Sequence, residues 1–224
     1  MAAALMLTAS DGFRFGAYEA EPEGRARGGL VVLQEILGVN AHIRRVADGF
    51  AADGYHVIAP AIFDRALRDV DLGYDKPDMK KGIALRRKIP TESTLLDVTA
   101  SVNAPRKSTK VAIVGYCWGG SLAWFSAARL PGLSAAVGYY GGMIASNLSE
   151  KPRVPVMLHF GEKDKGIPLT DVEKIRAANA PARVQIFTYP AGHAFNRDGT
   201  AAYQVHCAML ARMRTMKFLQ RHVG

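Results

Sequence analysis

The run Gly115-Tyr116-Cys117-Trp118-Gly119-Gly120, set between the apolar Val111-Ala112-Ile113-Val114 and the helix-compatible Ser121 to Arg129, admits few folds. It predicts a cysteine at a glycine-flanked turn from strand to helix. Small residues two before and two after the central one let the chain bend sharply and lift that side chain above a parallel sheet. The helix that follows aims its first N–H groups and the positive end of its dipole at the thiol, which is where a nucleophile belongs.

Short apolar runs alternate with helix-length amphipathic segments along the rest of the chain. Leu30 to Leu33 precedes a helix from Ile43 to Asp53, and Val57 to Ala59 precedes a helical region around Met79 to Lys88; Leu95 to Val102 follows. After the cysteine turn come Ala135 to Tyr140, Val156 to Phe160 with Asp171 to Ala178, and Val184 to Thr188 with a helix from Ala201 to Leu219. This alternation predicts an α/β fold with a mostly parallel sheet covered by helices on both faces. Leu5 to Thr8 and Phe13 to Glu19, around Asp11-Gly12, read as an antiparallel hairpin at its edge. Asn147 to Pro155 reads as a surface connection, and residues 1–224 as one domain.

Ligands of such sheets bind beyond the carboxyl ends of the strands. Four reactive residues fall there: Glu35 after Val31 to Leu33, Cys117 after Val111 to Val114, Asp164 after Val156 to Phe160, and His193 after Val184 to Thr188. Nucleophile, acid, histidine is the chain order of an α/β-hydrolase. Acyl transfer needs those three plus donors for the oxyanion. Cys117 would attack the carbonyl, His193 would shuttle the proton and Asp164 would hold the imidazole tautomer, with Asp171 the rival acid. The backbone N–H groups of Trp118 and Ile36 would receive the oxyanion. Trp118, Tyr139, Tyr140, Phe63 and Phe195 are candidates to line a pocket for an unsaturated ring.

Composition narrows the alternatives. The chain has 224 residues, 49% of them apolar, and two cysteines, Cys117 and Cys207. That is enough to bury a core without disulfides, and a free thiol suits a reducing, cytoplasmic location. Met1 to Thr8 lacks the basic start of a signal peptide and is too short to span a bilayer. The net charge of +9 is scattered, with clusters at Lys80-Lys81, Arg86-Arg87-Lys88 and Arg212-Met213-Arg214 that read as solvated helix faces. No nucleic-acid motif accompanies them. Neither nucleic acid nor membrane is expected as a partner, and the oligomeric state stays open. No His or Cys pair has metal-ligand spacing, and no phosphate-binding glycine run follows a strand, so neither metal nor cofactor is expected.

The motifs Gln34-Glu35-Ile36-Leu37-Gly38-Val39-Asn40, Gly115 to Gly120, Val137-Gly138-Tyr139-Tyr140-Gly141, the Asp164 loop and Gly192-His193-Ala194-Phe195 occur in order over nearly the whole chain. Together they resemble the dienelactone hydrolase (carboxymethylenebutenolidase) family of α/β-hydrolases. The resemblance implies hydrolysis of a cyclic enol-lactone through a thioester, with Cys117, Asp164 and His193 as the triad. It also implies that Glu35 helps take the thiol proton when substrate binds, and that Arg197 is one of two cations gripping a substrate carboxylate. The second cation falls at Lys80 or Lys81, where this chain has lysine in place of arginine and so lacks the bidentate fork. The substrate is therefore expected to be a small lactone or ester, anionic in character. A broader carboxylesterase or thioesterase, or a non-catalytic binding module on the same fold, are the alternatives.

Overall fold

The structure is a computed structural model that describes residues 2–105 and 110–224. Its centre is an eight-stranded sheet ordered β1-β2-β4-β3-β5-β6-β7-β8. The strands are β1 (Ala2–Thr8), β2 (Arg14–Ala20), β3 (Gly29–Leu33), β4 (His56–Pro60), β5 (Val111–Tyr116), β6 (Ala135–Tyr139), β7 (Val156–Gly161) and β8 (Val184–Tyr189). Only the pairings of β2 with β1 and with β4 are antiparallel, and the others run parallel. The expected edge hairpin is present, turning at Gly12, whose φ of +83° suits glycine.

The helices are α1 (Ala41–Ala52), α2 (Lys76–Arg87), α3 (Thr91–Asn103), α4 (Trp118–Arg129), α5 (Leu169–Ala177) and α6 (Val205–His222). From β3 the chain crosses through α1 to β4 on one side, and from β4 through α2 and α3 to β5 on the other. Right-handed crossovers taken in opposite directions put their helices on opposite faces. Every residue of β3 to β7 is consequently buried, which is why these strands read as unbroken apolar runs. The same reversal leaves a crevice beyond the carboxyl ends of β3 and β5.

Several boundaries differ from the sequence reading, for local reasons. α2 starts at Lys76, ahead of Met79, because the Asp75 side chain caps it by accepting from the Asp78 N–H and Pro77 suits the first turn. α6 starts at Val205 instead of Ala201, since Tyr203 N–H donates to Thr200 and Gln204 N–H to Phe195, holding that stretch in turns. One of the three basic clusters, Arg212-Met213-Arg214, is more than a solvated face. Arg212 lies 3.7 Å over the Phe50 ring and pairs with Asp53, tying α6 to α1. Arg214 lies 4.3 Å over the Phe187 ring and donates to Tyr189 Oη.

Beneath this Arg214 contact lies His159, fully buried on β7. Its Nδ1 is 2.8 Å from Tyr189 Oη, and its Nε2 is 3.1 Å from Thr215 Oγ1. With Arg214 donating to Tyr189 Oη, the Tyr189 O–H is free to donate to Nδ1, and the Nε2–H then donates to Thr215. The ring is thus held neutral. Burial first, and the Arg214 charge second, push its pKa down to about 3. A pKa depressed on folding gives stability that is present above the unfolded value of about 6.5 and lost as pH falls toward 3. Between pH 7 and pH 5 this residue is expected to cost about 2 kcal/mol of stability. Urea midpoints should fall over that interval in the wild type and fall less in His159→Phe; identical slopes would refute the assignment.

Candidate active site

Cys117 follows β5 and precedes the first residue of α4, with φ 53° and ψ −110°. That left-handed backbone is strained for a residue with a side chain, and it turns the thiol out of the strand direction. The bend is closed by backbone packing. A Cβ on Gly115 would lie 1.9 Å from the Gly119 carbonyl oxygen, and one on Gly119 would lie 2.3 Å from that of Leu33. Gly119 N–H donates to Gln34 and Cys117 N–H to Tyr139, so the bend is fastened to the strand ends on either side.

The acid and histidine loops are held to each other in the same way, Lys163 N–H donating to the Ala191 carbonyl at 2.9 Å. Asp164 Oδ2 lies 2.6 Å from His193 Nδ1, and its Oδ1 accepts from Gly166 N–H. His193 Nε2 lies 3.3 Å from Cys117 Sγ. Sulfur, imidazole and carboxylate thus form one continuous chain of contacts. Burial alone would lower the His193 pKa, but the hydrogen bonds to Asp164 and Cys117 outweigh it and push the pKa up to about 10. A protonated ring donates at both nitrogens, to the carboxylate and to the sulfur. Asp171, the rival acid, sits on α5 paired with Lys174, while the carboxylate on His193 is that of Asp164.

Glu35 and Arg197, 162 residues apart in sequence, face each other. Arg197 Nε donates to Glu35 Oε2 at 2.7 Å and Nη2 to Oε1 at 3.0 Å, with both side chains buried. The expected thiol base and the expected anion clamp therefore hold one another in this arrangement, an outcome that separate readings of each residue did not anticipate. Arg197 also stacks 5.0 Å from the ring centre of Tyr74. The next residue, Asp198, is bound by the buried His42 at 2.5 Å and by Arg45, which fixes the loop carrying the clamp onto α1. Sequence reading missed Tyr74, His42 and Asp198, and only the adjacency of Asp198 to Arg197 offered a clue.

The aromatic candidates are core, forming a packed floor under the site. Tyr139, Tyr140, Phe63 and Phe195 are at most 1% exposed, and Trp118 stacks on Phe63 at 5.5 Å. Tyr140 touches the site most directly, its ring centre 5.0 Å from that of His193. Its hydroxyl is buried without a hydrogen-bond partner among the described residues. Lys80 is exposed along a groove beside α2, which Lys81, one residue further round the helix, does not line. The backbone N–H groups of Ile36 and Trp118 donate to no other backbone group among the described residues.

One group outside this region brings potential metal ligands together: atoms of Glu19, Glu21 and His56 lie within 4.8 Å of one another. The antiparallel pairing of β2 with β4, which ends at Ala20 opposite Val57, brings the two segments together, a proximity that linear spacing hid. His56 opens β4, at the end of the sheet away from Cys117, and hydrogen-bonds Glu19 at 2.7 Å. Among the described residues no helix is long and apolar enough to cross a membrane.

The model of the dienelactone hydrolase family matches residues 15–223. The carboxymethylenebutenolidase of Pseudomonas putida is 31% identical over 93% of this chain and 92% of its own. A provisionally named carboxymethylenebutenolidase of Escherichia coli (strain K12) is 32% identical over 96% of this chain and 85% of its own. Among solved structures, a provisionally named dienelactone hydrolase from Klebsiella pneumoniae superposes with a TM-score of 0.83 at 32% identity. That match covers 96% of this chain and 98% of the other.

Proposed function

The chain belongs to the dienelactone hydrolase family, and we propose that it cleaves a small carboxylated lactone or ester through a thioester on Cys117. Hydrolysis of ester bonds follows from the family. The mechanism is supported above all by the unbroken line from Asp164 Oδ2 through His193 to Cys117 Sγ, at 2.6 and 3.3 Å.

The Glu35–Arg197 pair suggests how substrate starts the reaction. A carboxylate already sits bidentate on Arg197, so a substrate carboxylate can take the same fork and release Glu35 to accept the thiol proton. The thiolate attacks the ester carbonyl, and the new C–O⁻ is held by the N–H groups of Ile36 and Trp118. Collapse of that intermediate breaks the C–O bond to the leaving alkoxide or enolate, which takes its proton from His193. His193 then draws a proton from water, whose oxygen displaces the thiolate. Asp164 keeps the ring oriented throughout. A thiol that must stay free fits a cytoplasmic location.

A neutral ester would leave the Glu35–Arg197 pair intact, and that is the competing reading. Comparing kcat/KM for matched carboxylated and neutral activated esters separates the two. The carboxylated ester should be favoured about tenfold or more, as for a hydrogen bond to a charged group. The preference should vanish in Arg197→Gln/Glu35→Gln, which removes both charges and leaves neither buried alone. A preference that survives the double substitution would rule out Arg197 as the clamp.

A further inference from the structure

Helix α2 carries more positive charge than its own stability favours. Lys76 and Lys80 stand at i and i+4, where like charges repel, and Lys76 lies in the first turn, at the positive end of the helix dipole. The acids nearest in sequence are committed elsewhere: Asp75 caps the helix, and Asp78 accepts from Gly73 N–H at 2.6 Å. Gly82 fixes one side of α2 against the site, since a Cβ there would lie 1.9 Å from the Ile36 carbonyl oxygen. On its other side, Lys76, Lys80 and Arg87 border a groove of about 410 Å³ floored by Tyr74, Ile83 and Ala84, with no carboxylate in its lining. Ile83 is 40% and Tyr74 37% exposed, so the floor is apolar surface left open to solvent. Tyr74 forms one end of this groove and also stacks on Arg197, joining the groove to the anion clamp.

We propose that this groove is a subsite for a second anionic group: a carboxylate at the end of an apolar spacer, seated by Lys80 and Arg87 while the ester reacts at Cys117. Lys80 and Arg87 are seven residues apart, about 10 Å along the helix. A single carboxylate beside the scissile bond therefore cannot engage both of them and Arg197. An elongated substrate can, with its spacer passing Tyr74 and its far carboxylate over Ile83 and Ala84, where the long Lys80 and Arg87 side chains reach in from either side. This inference rests on the hydrolase reading above and names the shape and charge of its substrate. Lys81 and Lys88 border no part of the groove.

The probes are p-nitrophenyl hemiesters of succinic, suberic, sebacic and dodecanedioic acid, each with the neutral p-nitrophenyl ester of equal chain length. For a long hemiester, kcat/KM is expected to exceed that of its neutral partner by about five- to tenfold, the sum of two exposed charge pairs. In Lys80→Gln/Arg87→Gln this advantage should disappear. It should persist in Lys88→Gln/Lys217→Gln, which lowers net charge equally away from the groove. Added salt should weaken it, because the pairs are exposed. Three results would overturn the subsite: no advantage at any long chain, no effect of the groove pair, or equal loss in both pairs. Turnover of the neutral esters, lost in Cys117→Ala, reports separately on the hydrolase reading and stands or falls without regard to the groove.

Discussion

Cys117→Ala is expected to lose ester turnover by about 10⁴-fold or more in kcat/KM while remaining folded, the scale seen when a nucleophile of an acyl-transfer triad is removed. The effect is large because, in the proposed mechanism, the thiol is the atom that forms the bond to the substrate. His193 Nε2 is aimed at Sγ from 3.3 Å, and its other nitrogen is fixed by Asp164. The imidazole, whose pKa the hydrogen bonds to Asp164 and Cys117 push up to about 10 against burial, is protonated at neutral pH and so carries the proton that the proposed mechanism delivers to the leaving group. Alanine keeps the Cβ and removes only the sulfur, so far-ultraviolet circular dichroism and urea midpoint should stay close to wild type. Turnover within tenfold of wild type would mean that this line of residues is not the catalytic one.

The second large effect concerns the bend that presents the thiol. Gly119→Ala is expected to cost more than about 4 kcal/mol, the range reserved for severe steric or packing faults. The added Cβ would meet two carbonyl oxygens, Leu33 at 2.3 Å and Gln34 at 2.7 Å. Both belong to the backbone where β3 ends, so relief requires α4 to lift from the sheet and carry Cys117 with it. Gly132→Ala is the matched comparison. Its φ is +78°, but nothing lies within 4 Å of an added Cβ, so only the left-handed strain of about 1 to 2 kcal/mol applies. Equal urea midpoints for the two variants would show that the close approach of α4 to β3 does not define the site.

What could be read in advance follows the range of the forces involved. The bend at Cys117 was legible because it is built from neighbours in sequence, and the strands because burial on both faces writes an unbroken apolar run. The placement of Asp164 and His193 just beyond the ends of β7 and β8 was legible because each follows an apolar run. Asp171 lost to Asp164 for a reason that only the tertiary structure holds: the Lys163 contact to Ala191 brings the earlier loop onto the histidine. The Glu35–Arg197 and His42–Asp198 pairs join residues more than 150 positions apart and leave no local pattern. Likewise the excess charge of α2 was visible in the sequence, but which cations flank a groove depends on the face that Gly82 turns toward Ile36.

The proposed mechanism passes through a covalent bond to sulfur, and trapping that bond is the direct test. The protein is mixed with an activated carboxylated ester, quenched in acid within the first turnovers, and examined by intact-mass and peptide mass spectrometry. The expected result is a single acyl adduct on the peptide containing Cys117, absent in Cys117→Ala and lost on incubation before quenching. Steady turnover with no adduct at that residue, or with the acyl group on a different side chain, would contradict the mechanism.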